Sequence, residues 1–381
     1  MPTVWTPTGK MVAKHTLPTD GDNLSAASFN TPLQSIGDYT KVVQALALRN
    51  WSTKLAQLTV GLGSTMVAIR GWASGVAATG EDVTFAVGDR GSTGTGQLVR
   101  IPGVQTPSLD DSSGPSTVGS WSCIAYSAAA ATNKWVALAK PTPSSGVDVA
   151  MSANGSTWTT ATTGGTSVYW HGIAASSGGV FVGVGWTALN AGKTVRLAGG
   201  ASPVVADLAA ERLSIAFGAG LFVAAGGAAG GGSPVVYTSP DGITWTARAF
   251  GGIRCIRGIT WNGSVFVTLG DLGEVYTSPD GIAWTSSTLS TVTGMASSRG
   301  AIAADPVTGA IVLYSNTTQG VMFSVDNGKT FQRCGLISRS DPSYLQFECE
   351  AVGFADGRFW IGAAPSAGAN EIGIGYTQRI T

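Results

Sequence analysis

Two histidines, four cysteines and a thin scatter of carboxylates are the residues of this 381-residue chain whose types could do chemistry. His15 and His171 could carry a proton or activate a nucleophile, but neither has an acid or a nucleophile beside it in sequence. His15 sits in an N-terminal loop and His171 precedes an apolar strand, so a solvated or hydrogen-bonded structural imidazole is expected for both. Cys123, Cys255, Cys334 and Cys349 stand far apart, without the close paired spacing that zinc and redox motifs need. They read as free thiols, and the chain as one that folds in a reducing compartment. Asp110 and Asp111 could hold a weak surface cation, but no multi-carboxylate loop or His/Cys cluster is spaced for a metal centre, and no cofactor is implied. The glycine-rich run from Gly226 is not a phosphate loop, because no Lys-Ser/Thr pair follows and no helix opens after it.

The elements that must position any site are written in an internal repeat. Tyr237–Thr246 reads YTSPDGITWT and Tyr276–Thr285 reads YTSPDGIAWT, with weaker copies FSVDNGKTF from Phe323 and MSANGSTW from Met151. In each, a short Asp or Asn accepts hydrogen bonds from the backbone of a tight turn, Gly supplies a positive φ, and an aromatic ring buries itself between layers. The pattern resembles the Asp-box of sialidases and many other β-propellers. The residues concerned are Asp241, Gly242 and Trp245; Asp280, Gly281 and Trp284; Asp326, Gly328 and Phe331; and Asn154, Gly155 and Trp158. Their expected role is structural, as turn and staple.

A second phrase precedes each box: an apolar strand, a Gly-, Asn- or Asp-bearing turn, and a second apolar strand, which together make a hairpin. Its anchors Ile124, Ile173, Ile215, Ile259, Ile302 and Val352 fall 42 to 50 residues apart, the length of a four-stranded blade. An earlier copy from Met66 brings the count to about seven. The last segment, GIGYTQRIT, matches a third strand, and Asn50–Leu55 is the expected donor of that blade's outer strand, closing the ring without open edges. Composition agrees with an all-β propeller: 54 glycines, 44% apolar and only 12% charged residues supply core strands and many tight turns. Lys plus Arg balance Asp plus Glu at 22 each, so there is no basic field for nucleic acid. No apolar stretch is long enough to span a membrane, and the first residues do not have the pattern of a cleaved signal.

The first 48 residues have different statistics and read as a separate loop-and-helix segment ahead of a propeller over 49–381. Asn30 or Thr31 can cap, Pro32 suits the first helical position, and Leu33, Ile36, Val43 and Leu46 form an apolar stripe for an attachment or oligomerisation helix. The phrase DGDNLSAASFNTPLQSIGDYTKVV resembles the N-terminal segment of many tailed-bacteriophage virion proteins, matching at Asp20, Gly21, Asp22, Ala26, Ala27, Ser28, Asn30, Pro32, Leu33, Gln34, Asp38 and Tyr39 and departing at Ile36-Gly37. That resemblance implies a virion structural protein assembled in the bacterial cytoplasm and attached to other virion proteins through this segment, while the helix's own apolar stripe makes a homo-oligomer the expectation.

Because Asp-box propellers include sialidases, an enzyme must also be weighed. Val99-Arg100-Ile101-Pro102 resembles the sialidase phrase carrying a carboxylate-gripping arginine, but in this register Arg100 falls on a third strand. No nucleophilic Tyr with a partner Glu, and no two further arginines, are recognised at matching inner positions, so a sialidase-like glycoside hydrolase stands as the alternative. The expectation is a non-enzymatic tail-fibre or tail-tip protein touching a host glycan or protein, or a capsid decoration protein. Its candidate ligand face is formed by loops carrying Asp89 and Arg90, Trp186, Asp271, Arg339 and Asp341, with Trp186 the foremost stacking residue.

Overall fold

The computed structural model describes residues 66–90, 96–102, 121–139, 146–163, 168–187, 191–199, 201–210, 214–227, 234–251, 256–270, 273–287, 300–315, 320–333, 347–365 and 373–376. The expected helix at 31–46 and the expected closing strand at 50–55 lie outside them. Every regular element among the described residues is a strand, and the strands form seven antiparallel sheets. In chain order the sheets are β1 (Met66–Val76), β2 (Asp82–Arg90) and β3 (Gly96–Pro102); β4 (Trp121–Tyr126), β5 (Trp135–Ala139), β6 (Val149–Ser152) and β7 (Thr159–Ala161); β8 (Val168–Ala175), β9 (Phe181–Thr187), β10 (Gly192–Leu197) and β11 (Val204–Leu208); β12 (Ser214–Gly218), β13 (Leu221–Gly227), β14 (Pro234–Ser239) and β15 (Thr246–Arg248); β16 (Ile256–Trp261), β17 (Phe266–Gly270), β18 (Val275–Ser278) and β19 (Thr285–Ser286); β20 (Gly300–Ala304), β21 (Ile311–Ser315), β22 (Gly320–Ser324) and β23 (Gln332–Arg333); and β24 (Phe347–Ala355), β25 (Arg358–Pro365) and β26 (Gly373–Tyr376).

Each sheet is an up-and-down meander, and its first strand packs against the first strands of the sheets before and after it. The architecture is an all-β propeller, with those first strands lining the axis. The core lies between blades. One cluster joins Phe85 of β2 to Ile124 and Trp135 of the next blade, and another joins Val182 and Val184 of β9 to Ile215 and Phe222 of the next. Blade seven meets blade one in the same way: Ile69, Trp72 and Ile101 are buried with Ala351, Ala355 and Trp360.

The four boxes share one hydrogen-bond pattern. In the second of them Ser239 Oγ donates to Asp241 Oδ1 (3.0 Å) and accepts from Gly242 N–H (2.8 Å), while Asp241 Oδ1 accepts from the N–H groups of Ile243 and Thr244 (2.8 and 2.9 Å). Asn154 does the same without charge, accepting from the N–H groups of Ser156 and Thr157. The fourth box has one residue more, and Asn327 and Gly328 take up the extra turn with φ of 62° and 78°. Box aromatics reach the preceding blade: Trp158 meets Phe85 edge-on at 5.4 Å, and Trp284 meets Phe250 at 5.5 Å. Boxes and first hairpin turns share one face, since Asn262 of the β16–β17 turn donates to Asn327 of the next blade's box and Ala78 N–H donates to Asn154 O.

Candidate functional site at the channel mouth

The first strands of all seven blades enclose one cavity of about 500 Å3 on the axis. Its lining comes from the early part of those strands, the end opposite the Asp-boxes. A backbone irregularity recurs at this level. The pairing register of the first strand with the second slips between Ile69 and Gly71, Trp121 and Cys123, Trp170 and Gly172, Ile256 and Gly258, and Cys349 and Ala351. The residues left over at these bulges are Arg70, Ser122, His171, Arg257 and Glu350. A bulge takes one residue out of the ladder and re-aims its side chain. Four of these residues, Arg70, Ser122, His171 and Arg257, line the cavity and give it polar groups at this level.

Glycine makes the ring compact. Gly71, Gly172 and Gly258 follow three of the bulged residues and face the next blade's first strand. A Cβ on Gly71 would lie 3.2 Å from Cys123 Cα, one on Gly172 3.5 Å from Ile215 N, and one on Gly258 2.8 Å from Ile302 Cγ2. Across the seam between blades four and five Ser214 Oγ donates to the carbonyl oxygen of Arg257 (3.1 Å), which ties the bulge of β16 to β12.

Arg70, His171 and Arg257 all line the cavity, Arg70 and His171 exposed and Arg257 half-buried, so the cavity opens to solvent at this end. His171 lies against Trp186 with ring centroids 5.2 Å apart, and Tyr169 stacks on the same indole at 6.4 Å and 25°. Trp186 on β9 pairs directly with Tyr169 on β8, which brings the three rings onto one wall. Cys123 also lines the cavity, but burial pushes its thiol far above its ordinary pKa, so it is no nucleophile. Among the described side chains of the lining there is no carboxylate, and no group of three or more His, Cys, Asp or Glu is placed to hold a metal among the described residues.

The sequence-predicted residues separate accordingly. Trp186 stands at the mouth. Asp89 and Arg90 end β2, but their side chains, together with Asp271, Arg339 and Asp341, lie outside the described residues. Arg100 is on β3, as its register predicts, and pairs with Glu81 at 2.8 Å away from the axis. Two expectations need correcting. Arginines do stand at inner positions, as Arg70 and Arg257, and His171 lies within β8 rather than ahead of the first strand. The available signal was a basic residue directly before the repeat's glycine: Arg70-Gly71, His171-Gly172 and Arg257-Gly258.

No protein family matches the chain, and no curated protein matches it by sequence. Solved structures share its fold. Virginiamycin B lyase from Staphylococcus aureus aligns over 82% of this chain and 97% of its own, with a TM-score of 0.58 and 11% identity. A streptogramin B lyase aligns over 82% and 94%, also at 0.58 and 11%. The lectin BP39L from Burkholderia pseudomallei aligns over 82% and 96%, at 0.58 and 12%. At such identities the likeness is one of fold. It nonetheless corrects the expectation of a non-enzymatic virion component, tail-borne or capsid-decorating. No matching family or curated protein supports the virion reading, and the propeller architecture is shared with two lyases, so this chain cannot be set aside as a non-enzyme. No helix of the described residues is long and apolar enough to cross a membrane.

Proposed function

We propose that the channel mouth is an active site that takes an anionic ligand and works on it by proton transfer through His171. The observation that carries this reading is the convergence of Arg70, His171 and Arg257, lifted by equivalent bulges on three different blades, on one cavity of about 500 Å3. A cavity of that volume is the size of a small-molecule site. Guanidinium groups bind carboxylate or phosphate oxygens in a bidentate fork, and an imidazole both takes and gives a proton near neutral pH. The same propeller carries catalysis in the two lyases and ligand binding in the lectin, which supports a site on this scaffold without fixing its substrate.

Calorimetric titration of the full chain with a panel of small carboxylates, phosphate monoesters and their neutral analogues tests this. Anions are expected to bind and neutral analogues not to, with Arg257→Met weakening binding at least tenfold. Equal binding of neutral and charged members, or binding indifferent to Arg257→Met, would remove the site from consideration.

A further inference from the structure

Resting on the reading of the channel mouth as an anion site, we infer that its ligand is a phosphate monoester whose phosphoryl group stands on the propeller axis, held from three sides by Arg70, His171 and Arg257. The first strands follow one another round the axis in the order β1, β4, β8, β12, β16, β20, β24 and back to β1. With seven blades each step is about 51°. Arg70, His171 and Arg257 come from the first, third and fifth of these strands, so they approach one cavity from directions about 103°, about 103° and about 154° apart. The blades between them offer smaller or apolar groups. Ser122 on blade two brings one hydroxyl. The first strands of blades four and six pair without a slip: Ser214 Oγ already donates to the Arg257 carbonyl, and Ala301 and Ile302 are apolar.

That spacing selects among anions by shape. A carboxylate has two oxygens in one plane, and the bond to its own carbon takes up the third direction, so a group arriving from a third side meets carbon. A phosphoryl group has three acceptor oxygens disposed around its ester bond. With that bond along the channel axis and pointing out of the mouth, one oxygen faces each of the three blades. Charge favours the same group. A phosphate monoester carries about −1.5 to −2 near pH 7, against a single charge on a carboxylate, and it faces two permanently charged guanidinium groups and an imidazole. Guanidinium forks meet phosphate oxygens in pairs. The organic part of the ester has a wall to lean on beside His171, where the half-buried rings of Tyr169 and Trp186 put apolar surface next to the axis. Glu350 holds the equivalent backbone position on blade seven, and its side chain lies outside the described residues. A carboxylate at that position would weaken every anion, dianions most, so a lead for phosphate stands against it.

The experiment is calorimetric titration of the full chain, and of Glu350→Gln, with phenyl phosphate, phenyl sulfate, benzoate, phthalate and inorganic phosphate. Expected is phenyl phosphate binding at least tenfold tighter than benzoate or phthalate in both proteins. Phenyl sulfate, with the same shape and one charge, should fall between. Inorganic phosphate should bind about tenfold more weakly than phenyl phosphate, and Trp186→Ala should remove that difference. Arg70→Met, His171→Gln and Arg257→Met should each weaken phenyl phosphate at least fivefold, and the ranking of ligands on the natural protein needs none of these variants to fold. Benzoate or phthalate binding as tightly as phenyl phosphate overturns the phosphoryl assignment and leaves the anion site standing. Phenyl sulfate equal to phenyl phosphate overturns phosphate in favour of sulfate. Inorganic phosphate equal to phenyl phosphate overturns the ester in favour of the free ion. A folded variant among the three that binds phenyl phosphate unchanged overturns the three-sided grip. Binding of no anion overturns both this inference and the reading beneath it.

Discussion

Trp72 of the first blade and Trp360 of the last lie stacked, ring centroids 5.3 Å apart and planes inclined by 26°, across the seam where the two ends of the described propeller meet. Gly353 and Gly362 make the approach possible: a Cβ on either would fall 2.7 Å from Trp72 Cβ or 2.5 Å from Ile69 Cβ. Asp356 N–H donates to Ser74 Oγ at 2.6 Å on the same seam. Closure of the described propeller therefore rests on interlocked aromatic and aliphatic side chains and on this hydrogen bond. Trp360→Ala empties the centre of that seam and is expected to cost about 3–5 kcal/mol, measured by urea unfolding. A loss below about 1 kcal/mol would show that the seam is held elsewhere.

A second prediction concerns a buried carboxylate between blades two and three. Asp148, 3% exposed, accepts from the N–H and hydroxyl of Thr163 and from Trp170 Nε1 of β8 (3.1 Å). Asp148→Ala strands the buried Trp170 Nε1–H at a cost of about 1–3 kcal/mol and removes the acceptor of two donors of the half-buried Thr163. Asp148→Asn keeps an acceptor and is expected to cost less. Melting curves of the two variants should rank in that order, and equal losses would show that volume rather than hydrogen bonding governs the position.

The boxes give the propeller an acid-sensitive component. N–H groups of Thr244 and Ile243 hold the Asp241 carboxyl below its ordinary range, and those of Ala283 and Ile282 do the same for Asp280. A carboxylate whose folded pKa is depressed adds stability above the unfolded value of about 3.9, and that stability is lost as pH falls through the folded value. Both groups are largely exposed, so solvent screens the effect and it is small. The double variant Asp241→Asn/Asp280→Asn is expected to melt below the natural protein at pH 7 and together with it near about pH 2. A difference that persists unchanged at low pH would assign the loss to geometry instead of charge.

These boxes were legible in the sequence because each acts within its own turn: Ser239, Asp241, Gly242 and Thr244 bond to one another across at most three positions. The hairpin phrase was legible for the same reason, its two strands pairing across a short turn as Ile259 pairs with Thr268. The channel mouth was not. A bulge is a slip in pairing between two strands, and no short phrase records it, so Arg70, His171 and Arg257 read as ordinary residues ahead of a repeat. Arg100 shows the converse. It sits in a phrase that fits a known motif, yet its partner Glu81 lies 19 residues back on the hairpin turn of the same blade, off the axis. Trp186 was found by type, as an aromatic in a loop-like stretch, while its partners Tyr169 and His171 needed the register of β8 on β9 to be known.

The last prediction joins packing to the site. Gly258 follows the bulged Arg257, and a Cβ there would lie 2.8 Å from Ile302 Cγ2 of the next blade. Ile302 is itself in the cavity wall, so the strain of Gly258→Ala falls on the site's own strands rather than on the surface. Overpacking of this kind costs about 1–3 kcal/mol, and relief by displacing β16 would carry Arg257 away from the axis and weaken its tie to Ser214. Gly258→Ala is therefore expected to lose stability and anion affinity together. Ile302→Ala removes the clashing methyl, so the double variant should regain anion affinity even though it keeps the cost of the smaller side chain. Calorimetric titration of the three variants beside their melting curves separates the two effects. Affinity that tracks stability alone, with no recovery in the double variant, would show that the glycine does not set the position of Arg257.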